Sequence, residues 1–98
     1  MPEMTFEVRW PDGSTQRCYS PSLVVHDYLA TGGRYRVDDF VDRVGRAMAE
    51  ASERVRARFG FACTSAAATK EGITHAAAAY PSDALIEITA MHPQLEQS

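Results

Sequence analysis

The chain is short of the residues on which small proteins usually build a chemistry. Its two cysteines, Cys18 and Cys63, form no CxxC pair and no Cys/His set at ligand spacing, so the sequence encodes neither a zinc site nor a disulfide framework. Both read as thiols in a reducing compartment. Lysine occurs once, against nine arginines, and the net charge of −3 includes no basic stripe free of interleaved acids. That argues against nucleic-acid binding, because a phosphate-binding face concentrates positive charge. No apolar run approaches the roughly 20 residues of a membrane span, and Met1 to Phe6 lacks the basic-then-apolar pattern of a secretory signal. The expectation is a cytoplasmic protein with no membrane contact. Missing too are the GxGxxG and GxxxxGK[ST] phosphate loops, any internal repeat and any low-complexity linker.

What is present suits one α+β domain over residues 1–98. Apolar residues make up 45% and charged residues 23%, ordinary for a globular chain. A chain of this length buries about two-thirds of its unfolded surface at best, enough for one modest core. The strongest local pattern is at the start. Met4, Phe6, Val8 and Trp10 alternate with Thr5, Glu7 and Arg9, the period of two that gives a strand one buried and one wet face. Pro11-Asp12-Gly13 then supplies a preset φ, a tolerant second position and a left-handed third, so the chain turns back. With Trp10 facing Ser14, Phe6 faces Cys18, and a second strand from about Ser14 to Ser20 points Cys18 inward and Arg17 and Tyr19 outward.

Ser20-Pro21-Ser22 breaks that strand, and Leu23 to Leu29 suits a short helical turn. Thr31-Gly32-Gly33 is a flexible turn that leads through Arg34-Tyr35-Arg36 to the next element. From about Asp39 to Phe59, apolar residues recur at steps of three and four: Val37, Val41, Val44, Met48, Ala51 and Val55, widened by Phe40 and Phe59. This is an amphipathic helix, with acids at its start, arginines at its end and Gly60 as a left-handed cap. Asp39/Arg43, Asp42/Arg46 and Glu50/Arg54 stand four apart with the acid first, so helix electrostatics account for most of the arginines. A second helix runs from Ala66 to Ala79, capped by Thr64 or Ser65, with Gly72 as the place for a break. Ala84 to Met91 reads as a last strand. The expected architecture is two-layered: a three-stranded, mainly antiparallel sheet with two helices on one face, in the order β-β-α-α-β, the last strand beside the first. Such a sheet keeps open edges, one of which can pair across a homodimer.

The candidate ligand or partner surface comprises Tyr19, Ser20, Ser22, His26, Arg34 and Cys63. His26 has an acid beside it and a tyrosine nearby, the elements of a base with an orienting partner, although sequence neighbours seldom face each other. Arg34 beside Gly32-Gly33 suits an anion, and equally suits solvent. Cys63 directly precedes a helix start, where outward N–H groups lower a thiol's pKa, and also fits as a small buried residue. His75 has Glu71 four residues before it, half of a metal site without a third ligand, so neither metal nor cofactor is expected. No Ser/His/Asp set and no paired-carboxylate cleft stands out.

Taken together, MPEMTFEVRWPDG, CYSPS and ASERVRARFGFACTS resemble a family of small bacterial nitrogen-starvation-response proteins encoded in a nitrilase gene cluster. The resemblance covers nearly the whole chain, and TSAAATKEGITHAAAAY departs from it most. It implies gene neighbours that include a nitrilase, a radical-SAM protein, a flavin-dependent oxidoreductase, an acetyltransferase-like protein and a purine-synthesis-like protein, and a role in scavenging nitrogen from nitriles or cyanide. It carries over no catalytic residue. The expectation is a non-catalytic accessory protein that binds an enzyme of that cluster. The alternative is a small-molecule binder or minor enzyme using Cys63 or a pocket of Tyr19, His26 and Arg34.

Overall fold

The computed structural model describes residues 3–60 and 64–94. Alternation builds the first two strands as expected. β1 (Met4–Arg9) and β2 (Thr15–Ser20) pair antiparallel, with Phe6 opposite Cys18. The Gly13 N–H donates to the Trp10 carbonyl and the Trp10 N–H to the Ser14 carbonyl, both at 2.8 Å. Gly13 holds a φ of 90° in this turn, a left-handed conformation that a side chain resists. The Asp12 carboxylate accepts from the Ser14 hydroxyl at 2.6 Å and the Ser14 N–H at 2.9 Å. Those bonds, with a smaller contribution from the Tyr80 hydroxyl, hold the Asp12 carboxyl below the ordinary aspartate pKa.

After β2, Leu23–Asp27 forms a short 3-10 helix, the helical turn expected there. The next segment corrects the expected sheet. Arg34–Arg36 is a strand of its own, β3, so the sheet has four strands rather than three. It pairs antiparallel with β4 (Leu85–His92), which lies beside β1, and the strand order becomes β2-β1-β4-β3. Glycine main chain extends the β3 edge: the Gly32 N–H donates to the Ile88 carbonyl at 2.7 Å, and the Ile88 N–H to the Gly33 carbonyl at 2.9 Å. Between β1 and β4 the register shifts, with Glu7 opposite Ala90 and Val8 opposite Ile88, leaving Thr89 as the extra residue. This bulge resets the phase of β4 so that Ile86, Ile88 and Met91 are all buried. The Thr89 hydroxyl, released from the ladder, donates to the Glu7 carboxylate at 2.7 Å.

The first helix, α1, spans Val37–Phe59 and begins two residues before the expected start. No side chain caps it. Its first amides are met by the loop before β4, the Val37 N–H donating to the Ala84 carbonyl at 2.8 Å and the Asp38 N–H to the Ser82 carbonyl at 3.1 Å. The three acid-first pairs form at 2.9, 3.1 and 3.2 Å. Gly60 ends the helix at a φ of 81°, its N–H on the Arg56 carbonyl. Val41, near the start of the helix, is only half-buried, and Phe59 is 52% exposed because the stripe leaves the core at its last turn. α2 (Thr64–Ala77) runs unbroken through Gly72 and tightens into i→i+3 turns up to Tyr80. Both helices pack on the same side of the sheet. Met4, Phe6, Val8 and Trp10 meet Phe40, Val44 and Met48 of α1 and Ala66 and Ile73 of α2 in one cluster. Each large apolar side chain sealed there contributes about 1.5–3 kcal/mol. The opposite sheet face carries no helix among the described residues.

Candidate functional site

Because the helices take the inner face, the residues alternating with the core on β1, β2 and β4 point away from it. The register sets them in rows across the sheet: Tyr19, Thr5 and His92; Arg17, Glu7 and Ala90; Thr15, Arg9, Glu87 and Arg34. Leu85 and Arg36 pair beyond the last row, and Leu85 is 56% exposed. This open face is therefore rich in arginine, with a tyrosine at one end and an exposed leucine at the other.

Its ion pairs are sparse. Arg9 lies 3.6 Å from Glu87, and Arg36 forks onto Asp38 at 3.1 Å. Glu7, the cross-strand neighbour of Arg17, is turned to Thr89 on β4 instead. The Tyr19 hydroxyl donates to Glu3 at 2.9 Å. Two shallow depressions flank the face. One, of about 250 Å³, is lined by Arg9, Pro11, Arg34, Leu85 and Glu87, among others. The other, of about 300 Å³, runs between the outer edge of β2, from Gln16 to Tyr19, and Ala68, Thr69 and Gly72 of α2. At one point of that groove the Thr69 hydroxyl donates to the Tyr19 carbonyl at 2.7 Å.

The structure separates the residues that the sequence suggested as one pocket. Tyr19 stands on β2 and Arg34 on β3, the two opposite edges of the sheet, so they share the open face but no cavity. The imidazole Nε2 of His26 lies 2.9 Å from the Pro93 carbonyl, tying the 3-10 helix to the end of β4. Ser20 and Ser22 are buried and used by the fold. The Ser20 hydroxyl donates to the Ser22 carbonyl at 2.7 Å, and the Ser22 side chain caps the 3-10 helix by accepting from the Val24 N–H at 3.3 Å. The SPS exit of the hairpin is thus explained by folding. Cys63 lies outside the described residues.

Cys18 faces the core, and burial pushes its thiol pKa up to about 12, which leaves it protonated and unreactive at neutral pH. Burial, and then the neighbouring Glu50 carboxylate, also raises the Tyr28 pKa. No group of three His, Cys, Asp or Glu side chains that could hold a metal ion occurs among the described residues. None of the described helices is long and apolar enough to cross a membrane. Arg9, Arg17 and Leu85 were not among the candidates, although the alternation that buries Val8, Cys18 and Ile86 turns those neighbours outward.

Fold and surface define a class: a small α+β protein whose antiparallel sheet is covered on one side and presents a polar, arginine-bearing face on the other. The sequence narrows this further. A sequence model of the nitrogen starvation-induced protein NitG matches residues 5–91, and the chain belongs to that family. The matched stretch begins in β1 and ends in β4, so it takes in residues of all four strands. No curated protein and no solved structure matches the chain at a significant level.

Proposed function

We propose that this member of a nitrogen starvation-induced family is a non-catalytic, cytoplasmic accessory protein that docks on an enzyme of a nitrilase-linked gene cluster. The observation that carries the reading is the open sheet face. It brings Arg9, Arg17, Arg34, Tyr19 and the exposed Leu85 onto one surface, and arginine and tyrosine are the residue types on which protein interfaces concentrate their binding energy. The serines, the histidine and the buried thiol near this surface are engaged in holding the fold, as their hydrogen bonds and burial indicate. The resemblance to proteins of a nitrilase cluster supplies the candidate partners.

Co-expression of the chain with the nitrilase, the radical-SAM protein, the flavin-dependent oxidoreductase and the two remaining cluster products, each followed by gel filtration, tests this. One pair is expected to co-elute and to separate when Arg9 and Arg34 are both changed to Glu. If no pair co-elutes and no partner's activity changes on adding the chain, the reading is wrong.

A further inference from the structure

The face explains docking in general, but the edge of β2 is more specific. In an antiparallel hairpin closed by a bonded Trp10/Ser14 pair, every second residue of β2 bonds back to β1. The intervening residues Thr15 and Arg17 turn their main-chain N–H and C=O outward, and these groups have no partner among the described residues. The Thr69 bond to the Tyr19 carbonyl marks the same outward direction two residues further on.

We propose that β2 is a strand-addition site: an extended, acidic segment of a partner protein pairs with its edge and lies in the groove between β2 and α2. Two observations support this occupant. The groove wall on the helix side is Ala68, Thr69 and Gly72, and a Cβ built at Gly72 would meet nothing within 4 Å, so an added backbone has room. Main-chain bonding supplies affinity in strand addition, and alternate side chains supply selectivity. Arg17 is the exposed charge at that edge. Its cross-strand neighbour Glu7 is bound to Thr89, and Arg17 makes no ion pair among the described residues, so a carboxylate from the incoming strand completes it. A second copy of the chain fits less well, because the two-fold register centred on Arg17 sets like charges opposite each other. This inference rests on the accessory-protein reading and names the kind of segment such a partner would offer.

The test is an NMR titration of the full chain with a short peptide alternating valine and glutamate, with an alternating valine and lysine peptide as control. With the acidic peptide, the Thr15 and Arg17 amides should shift and gain protection from hydrogen exchange. Arg17→Glu should weaken binding by about tenfold or more. Thr15→Pro, which removes an outward N–H, should abolish it. If Thr15→Pro fails to fold, Arg17→Glu, on an exposed side chain, still decides. Equal binding of the basic peptide overturns the proposal, as do shifts confined to Glu7 and Ala90, or self-association through the same amides without peptide. Co-elution of a cluster enzyme that ignores both β2 variants sinks the strand-addition site and leaves the accessory reading standing. Acidic-peptide binding with no enzyme partner does the reverse.

Discussion

Cys18 sits on β2 with its thiol turned into the core, 5% exposed, and its pKa is raised from 9.0 to about 12. Below pH 9 the thiol is neutral in the folded and unfolded chain alike, and it adds no pH dependence. Between 9 and about 12 the unfolded chain releases a proton that the folded chain keeps, so stability falls as pH rises, by up to about 4 kcal/mol across the window. Urea titrations between about pH 8 and about pH 11 should therefore show the wild-type chain losing stability more steeply than Cys18→Ala; parallel slopes would mean that the thiol is solvated. Trp10 works by contact rather than charge. Its ring stacks on Tyr80 at 5.4 Å, meets Phe40 edge-on at 5.7 Å, and its Nε1–H donates to Gln16 at 2.9 Å. Trp10→Ala should cost about 3–5 kcal/mol of stability, followed by circular dichroism during urea unfolding. Trp10→Phe should cost less, because it keeps most of the apolar area and loses chiefly the bond to Gln16.

The elements differ in how much of their cause is local, and that decides what could be read from the chain. The stripe of α1 and its three acid-first pairs are local, so the helix was legible almost to the residue. Its start was not, since the carbonyls of Ser82 and Ala84 that receive its first amides lie over 40 positions away in sequence. β3 was missed for a related reason: three residues, two of them arginines, carry no periodicity and become a strand only because β4 is there to pair with. Gly72 lowers local helix propensity, yet packing of Ala66, Ile73 and Ala77 carries α2 unbroken through it. Two glycine substitutions should consequently have opposite signs. Gly72→Ala, into open space at a helical position, should stabilise by about 1 kcal/mol. Gly60→Ala, at a φ of 81°, should destabilise by about the same amount. Thermal melts of the two variants check this, and a shift in the same direction for both would contradict the backbone assignment at one of them.

At the scale of the whole molecule the question is which side faces a partner. The site was legible only in pieces. Tyr19 and Arg34 are both on the open face, yet the sequence suggested a shared pocket because nothing in it reveals that β2 and β3 are opposite edges of one sheet. The two sides of the molecule offer a matched comparison. Arg9 and Arg34 flank Glu87 on the open face, while Arg56 and Arg58 are exposed at the end of α1 on the helical side. Changing either pair to Glu makes the net charge more negative by the same amount, so any effect of overall charge on encounter is common to both. Contact effects are not: charges more than about 10 Å from an interface are largely screened at moderate salt. If the proposed docking holds, the Arg9→Glu/Arg34→Glu chain should bind the proposed partner enzyme at least tenfold more weakly, and the Arg56→Glu/Arg58→Glu chain should stay within about twofold of wild type. Calorimetric titration of the enzyme with each chain measures both. The reverse order would move the docking surface to the helices and would leave the uncovered sheet without the role argued for it.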